Sequence, residues 1–203
     1  MRPELAALVV HDLKNALGAL EDRLLKLQDN PVAAAARRAH RECRDLRERF
    51  VMFLTLYSLD GELAALREDE SPHEFLSALA ARLRADDDAP ALHLQLDAST
   101  PACWYFDARL VRLALEAALH NARRYAPQPI VLGARGEDGY LVFSVADNGP
   151  GLGAPDAADP VSTGLGSELC AAVARVHGIA GRPGRSRLVD RPQGGALFEL
   201  WLA

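Results

Sequence analysis

Val10-His11-Asp12-Leu13-Lys14-Asn15-Ala16-Leu17 opens a run in which Val10, Leu13, Leu17, Leu20, Leu24 and Leu27 recur at alternating steps of three and four. That spacing is the a/d seam of a helical bundle. In this frame His11 is a b position, Asp12 a c and Asn15 an f. The seam turns inward, and an imidazole, a carboxylate and a carboxamide turn outward together. His11 and Asn15 are one turn apart and therefore neighbours, and Gly18, one turn further on, adds no bulk to that face. An uncrowded imidazole beside a carboxylate suits a phosphate acceptor. The acid can orient the ring and take its proton as the ring attacks phosphorus. Asn15 can orient a water against a phosphoryl group, so one short face supports both transfer and hydrolysis. The plainer alternative is an ordinary bundle helix carrying a surface histidine.

Outward from this stretch, helix one runs from about Pro3 to Gln28. Asp29-Asn30-Pro31 reads as a turn, with Asn30 an N-cap and Pro31 the first residue of helix two. Helix two has its own seam, Ala39, Cys43, Leu46, Phe50, Phe53 and Tyr57, and ends at Asp60-Gly61. Two helices alone bury two such seams poorly. Pairing two hairpins into a four-helix bundle buries them, so a homodimer is expected. Arg37, Arg38, Arg41, Arg44, Arg47 and Arg49 spread around helix two as a solvated face.

The remaining sequence mixes strands and helices. Arg67-Glu68-Asp69-Glu70 reads as a polar linker. Ser71-Pro72-His73-Glu74 is a capping box opening a helix to about Arg84. Asp86-Asp87-Asp88 reads as a solvated loop rather than a metal site. Strands are expected at 92–96, 104–106, 130–133, 140–146, 187–190 and 196–202, with helices from the Asp107 cap to about Tyr125 and from Glu168 to Val176. Without strict βαβ alternation this is an α/β sandwich, with helices on one face of a mixed sheet. The chain as a whole is α+β, with residues 1–62 and 63–203 as its two domains.

Composition excludes several classes. A net charge of −5 over 203 residues gives no reason to expect nucleic acid. The 3 cysteines are far apart and odd in number, which fits a reducing cytoplasm better than a disulfide framework or zinc site. No apolar run approaches ~18 residues, so no membrane insertion is expected.

Three further sites lie in the second domain. In the Asp107 helix, Asn121 shares a face with Leu113, Ala114, Ala117 and Ala118. Two readings stand: a structural hydrogen bond to a neighbouring loop, or an oxygen ligand for Mg2+, which favours hard oxygen donors. Arg124 and Tyr125 follow, and Arg124 can reach phosphate. Asp147-Asn148-Gly149-Pro150-Gly151 ends an apolar strand with an acid and a glycine-rich turn, where the backbone can approach a ligand closely. Thr163-Gly164-Leu165-Gly166 precedes a helix, where free amides hold anions. Alone, the Asp147 stretch reads as an ordinary loop after a strand and the Thr163 stretch as a flexible connector.

In this order, the four stretches resemble the sensor histidine kinases. His11 to Asn15 matches the H box, His120-Asn121-Ala122-Arg123-Arg124-Tyr125-Ala126-Pro127 the N box, Asp147 to Leu152 the G1 box and Gly164-Leu165-Gly166 the G2 box. His177-Gly178 and Gly194-Gly195-Ala196-Leu197-Phe198 resemble the closing segment. The resemblance implies a dimerisation and phosphoacceptor hairpin followed by a Bergerat-type ATP-binding domain. It implies that His11 takes the γ-phosphoryl of ATP and passes it to an aspartate on a response-regulator receiver, with Asp12 as base and Asn15 at the position linked to phosphatase activity. It also implies that Asp147 reads the adenine amino group, that Asn121 holds Mg2+, and that Gly149, Gly151, Gly164, Leu165 and Gly166 flank a lid over the phosphates.

The sequence departs from the family pattern in places. Ala117 stands where a polar residue is usual, Ser162 where a glycine is, Ser167 where a hydrophobic residue is, and Ala16 where proline often follows the H box. Only residues 153–163 separate the G1 and G2 boxes, with no phenylalanine and with Asp156 and Asp159. The expected lid is therefore short, and ATP held weakly or left exposed. Two other readings follow from this: a histidine phosphotransfer module with a degenerate ATP-binding domain, and a phosphatase of the phosphorylated receiver. Because only ten residues precede His11, an input domain is expected on a separate sensor protein, or to have been removed from this chain.

Overall fold

The computed structural model describes residues 3–60, 65–84, 91–125, 129–152 and 164–203. They divide into two compact units, one of residues 3–60 with Gly164 and Leu165, the other of the remaining described residues.

The first unit is an antiparallel hairpin of two long helices, α1 (Pro3–Asp29) and α2 (Ala33–Asp60). The Asn30 N–H closes α1 on the Lys26 carbonyl at 3.1 Å, and α2 opens with Ala36 N–H on the Val32 carbonyl at 3.0 Å. Asn30 is therefore not the N-cap of α2, and Pro31 is not its first residue. A proline pushes the residue before it out of helical conformation, so Asn30-Pro31-Val32 forms the turn and α2 starts two residues later than the sequence suggests. An Arg23–Glu42 ion pair ties the two helices together, and Arg38 Nε reaches the same carboxylate at 3.2 Å.

Packing splits the seam in two. Leu20 and Ala39 of the seams are buried, and Leu13, Leu27, Leu46 and Phe53 are half-buried, while Val9 and Leu56, one position outside the seams, are buried as well. Val10, Leu17 and Leu24 remain 52%, 48% and 48% exposed, as do Cys43, Phe50 and Tyr57 on α2. Two helices touch along one line, so the d positions of α1 meet α2 while its a positions face away.

The second unit contains β1 (Glu68–Glu70), α3 (Pro72–Arg84), β2 (Leu92–Leu96), β3 (Trp104–Phe106), α4 (Ala108–Tyr125), β4 (Ile130–Glu137), β5 (Tyr140–Ala146), α5 (Leu165–Val176), β6 (Arg185–Asp190) and β7 (Ala196–Leu202). Five strands form a mixed sheet in the order β2-β4-β5-β7-β6, parallel only between β2 and β4. Ser71 caps α3 as its capping box indicates, accepting from Glu74 N–H at 3.3 Å. That cap seats Phe75 against Phe106 of β3 and Phe143 of β5, with ring centroids 5.3 and 5.5 Å away. β4 and β5 join through Asp138-Gly139, both at positive φ, the two-residue hairpin turn that matches strand twist. On the opposite face Trp201 lies beneath Arg135, Arg185 and Arg187. Burial pushes the Glu199 carboxyl up there, but Arg187 and Arg135 outweigh it and hold it below its ordinary value.

Four boundaries in this unit differ from the sequence reading, one of them the start of β6 at Arg185 rather than Arg187. Glu68–Glu70, read as linker, is β1 and pairs antiparallel with β3. An acidic, exposed strand carries no apolar alternation, so only its partner reveals it. β4 runs past Gly133 to Glu137, because Gly133 breaks the pattern yet pairs with Ser144, whose hydroxyl would lie 2.8 Å from a Cβ there. α5 begins at Leu165 rather than Glu168. Gly61, Asp86-Asp87-Asp88 and the short 153–163 connection lie outside the described residues. Among those residues, no helix is long and apolar enough to cross a membrane.

Candidate functional site

In the hairpin unit, His11 projects from α1 with 66% of its side chain exposed, while Asp12 keeps 22%. Asp12 is thus half-buried rather than fully outward, and its Oδ2 has no hydrogen-bond partner. Its Oδ1 lies 3.6 Å from His11 Nδ1. The Asn15 amide nitrogen is 3.2 Å from Nδ1 and 3.5 Å from Nε2. It covers the ring edge between the two nitrogens and can donate to whichever one is unprotonated. The helical spacing read from the sequence therefore brings all three polar groups onto one ring.

In the second unit, Asp147 follows β5 and is 8% exposed. Its Oδ1 accepts from Gly149 N–H at 2.8 Å and Ala196 N–H at 3.1 Å. Its backbone N–H donates to the Ala196 carbonyl at 3.0 Å. Oδ2 takes no hydrogen bond among the described residues. One carboxylate oxygen is thus committed to the turn and the other is left for a ligand donor.

Asn121 contradicts the sequence reading. It was expected on the buried face of α4 with Ala114, Ala117 and Ala118, which are indeed buried. Asn121 itself is exposed, and it makes no hydrogen bond among the described residues. The physical reason is the length of its cover. Cys170 of α5 donates to the Ala114 carbonyl at 3.5 Å, and a Cβ on Gly166 would sit 3.7 Å from the Ala117 Cβ. The helices therefore run antiparallel, and α5 gives out one turn before Asn121. Burial pushes the Cys170 thiol up to about 12, so it stays protonated as a packing group. A lone exposed carboxamide oxygen fits a single Mg2+ ligand, since Mg2+ completes its shell with water and phosphate. Arg124 and Tyr125 end α4, and their side chains lie outside the described residues.

The glycines are not equivalent. Gly164 has φ +66 with open space around it, and Gly166 has only ordinary contact distance to Ala117. Among the described residues packing demands neither, although the positive φ by itself favours glycine at Gly164. Gly151 differs: at φ +83, a Cβ there would stand 2.6 Å from Asp190 Oδ1.

Sequence reasoning missed the groups that hold this unit's turns. Asp190 Oδ1 accepts from Leu152 N–H at 2.7 Å. Arg191 Nη1 donates to the Asp147 carbonyl at 2.7 Å and to Asn148 Oδ1 at 2.8 Å. His177 is fully buried: its Nε2 accepts from Asp107 N–H at 2.9 Å and its Nδ1 donates to the Val173 carbonyl at 2.7 Å. Burial lowers its pKa. Asp107 caps α4 through Arg109 and Leu110 N–H and also accepts from Leu66 N–H at 2.9 Å. Burial raises the Asp107 pKa, but the Arg109 side chain and these N–H groups prevail and lower it. The Asp107 cap was legible from its sequence, but the long-range bonds were not, since partners 38 to 70 residues apart share no period.

No protein-family model matches the sequence, and no curated protein sequence matches it. Solved structures do. The histidine kinase AdeS of Acinetobacter baumannii matches with TM-score 0.73 and 19% identity over 95% of this chain and 97% of that one. This chain has the histidine kinase fold. Histidine kinase ThkA, solved in complex with response regulator protein TrrA, matches with TM-score 0.71 and 14% identity over 98% of this chain and 61% of that one. Full-length ShkA, solved in complex with AMPPNP, matches with TM-score 0.62 and 20% identity over 100% of this chain and 46% of that one. Like those structures, this chain has a helical hairpin ahead of a domain built on a mixed sheet.

Proposed function

We propose that this chain is a two-component protein-histidine kinase, with residues 1–62 as dimerisation and phosphoacceptor domain and residues 63–203 as catalytic ATP-binding domain. The observation that carries it is the Asp147 carboxylate, held on one oxygen and open on the other. Its Oδ1 is fixed by two backbone N–H groups, and Oδ2, which is not among the buried unpaired atoms, is open to a ligand donor. Asp147 accepts the adenine amino group on Oδ2. Gly164 leads into α5, whose first amides, those of Leu165 and Gly166, hold phosphate. Asn121 would hold Mg2+ through its side-chain oxygen, and the ion would supply neutralisation of phosphate charge. Asp12 takes the proton from His11 Nδ1, and Nε2 attacks the γ-phosphorus. The N–P bond forms as the bridging P–O bond breaks, and ADP leaves with those electrons. A receiver aspartate then takes the phosphoryl group.

The kinase works as a homodimer in the cytoplasm. The unburied half of the hairpin seam supports the dimer. A second activity, hydrolysis of the phosphorylated receiver, is favoured by the Asn15 amide at the His11 ring edge. The test is incubation with γ-labelled ATP-Mg2+: label is expected on wild type, none on His11→Gln, and passage to a receiver on its addition. Label that reaches His11 from a phosphorylated receiver but never from ATP would replace the kinase with a phosphotransfer module. Failure to bind nucleotide at about millimolar ATP would have the same meaning.

A further inference from the structure

The Asp147 turn is held at three points by the β6–β7 turn, which lies 38 to 49 residues downstream. At the first, Arg191 Nη1 bridges the Asp147 carbonyl and Asn148 Oδ1. At the second, Ala196 N–H fixes Asp147 Oδ1. At the third, Asp190 takes the N–H of Leu152 at the far end of the turn. The β6–β7 turn is itself closed by Arg191 N–H to the Gly195 carbonyl at 2.9 Å and Gly194 N–H to the Arg191 carbonyl at 3.0 Å.

Two glycines allow this contact. Gly195 has φ +82, and a Cβ on it would overlap the Asp147 carbonyl and stand 2.8 Å from Asn148 Cα. Gly151 admits Asp190 in the same way. Gly151, read from the sequence as a glycine for ligand approach, is already favoured by its own φ of +83, with the Asp190 carboxylate packed against it.

We propose that Asp190 and Arg191 are positioning residues for nucleotide recognition, a two-point brace that sets the direction of the free Asp147 oxygen. The proposal rests on the reading of Asp147 as the acceptor of the adenine amino group. Gly149 and Ala196 N–H limit rotation of the carboxylate, and Arg191 fixes the peptide from which it projects. A hydrogen bond weakens steeply with misalignment. Loosening the peptide should therefore cost contact with the amino group specifically, and not contact with phosphates or ribose.

The experiment compares ATP with purine riboside triphosphate, which lacks the 6-amino group, by calorimetry on the full chain. Wild type should prefer ATP. Arg191→Met should lose about tenfold of that preference, the scale of one charge-assisted hydrogen bond, with the analogue's Kd unchanged. Arg191→Lys, which keeps one nitrogen able to donate to two oxygens, should recover most of it. Asp190→Ala should shift in the same direction as Arg191→Met, and Asp190→Asn, which keeps an acceptor for Leu152, should not. Equal weakening of both ligands by Arg191→Met, or no change in preference, overturns the brace. If Arg191→Met fails to fold, the Asp190→Ala and Asp190→Asn pair decides by the same criterion. Absence of any ATP preference in wild type overturns the reading of Asp147 itself, and the brace with it.

Discussion

Replacing Asp147 with Asn or with Ala separates the two jobs of one carboxylate. Oδ1 accepts from Gly149 and Ala196 N–H at 2.8 and 3.1 Å, and Oδ2 is free. In Asp147→Asn the carboxamide oxygen can keep both turn bonds, while the free oxygen becomes an NH2 group. A donor would then face the adenine amino donor. The loss is a hydrogen bond to a charged acceptor, about 1.5–3 kcal/mol, or roughly 10- to 150-fold in Kd for ATP. Stability should be almost unchanged. Asp147→Ala instead leaves two N–H groups unpaired, at about 1–3 kcal/mol each if fully buried. Because the Gly149 N–H is only part-buried, we expect a total near 2 kcal/mol, about 4–8 °C in Tm for a chain of this size. Calorimetric titration with ATP-Mg2+ and thermal melting of both variants read the two effects. Wild-type ATP affinity in Asp147→Asn would refute the ligand role of Oδ2, and a wild-type Tm in Asp147→Ala would refute the structural role of Oδ1.

Two further outcomes are expected. The ordinary imidazole value is 6.5, and burial lowers it for His177. The unfolded chain therefore takes up a proton that the folded chain refuses, and stability falls as pH drops through 6.5 toward the lowered value. Melting from neutral pH to about pH 5.5 should show this decline, with a shallower slope in His177→Gln; identical slopes would remove His177 as its source. Leu17→Glu and Phe50→Glu place charges on the exposed half of the hairpin seam. Sedimentation should show dimeric wild type and monomeric variants with helical content retained, whereas monomeric wild type would end the four-helix-bundle reading.

The hairpin was readable because its signals are local. His11, Asp12 and Asn15 meet through helical spacing alone, and Ser71-Pro72-His73-Glu74 declares its helix within four residues. The seam was read only in part: Val9 and Leu56 are buried outside it while Val10 and Tyr57 beside them are exposed, because which positions are covered depends on where the second helix lies. The Asn30-Pro31 turn was misread because an N-cap and proline signature fits two starting positions, and the proline's effect on its predecessor settled which. β1 was missed because Glu68-Asp69-Glu70 has no apolar face, and its pairing with β3 comes from a distant segment.

The candidate site divides in the same way. Residue identity and order along the chain were enough to single out His11, Asn121, Asp147 and the glycines of the two turns, because acids, carboxamides and glycines carry their chemistry wherever they stand. Environment was not. α4's periodicity put Asn121 on a buried face, but α5 stops one turn short of it and leaves it exposed. Gly151 looked like a glycine for a ligand and proves to be favoured by its own φ, with Asp190 packed against it. Asp190 and Arg191 drew no notice, since a carboxylate and a guanidinium in a β-turn are ordinary until another turn is seen to hang on them. Periodicity and capping act over a few residues and can be read from the chain. Which oxygen of Asp147 is occupied and which is free follows from donors placed by sheet register, and only the folded unit sets that register.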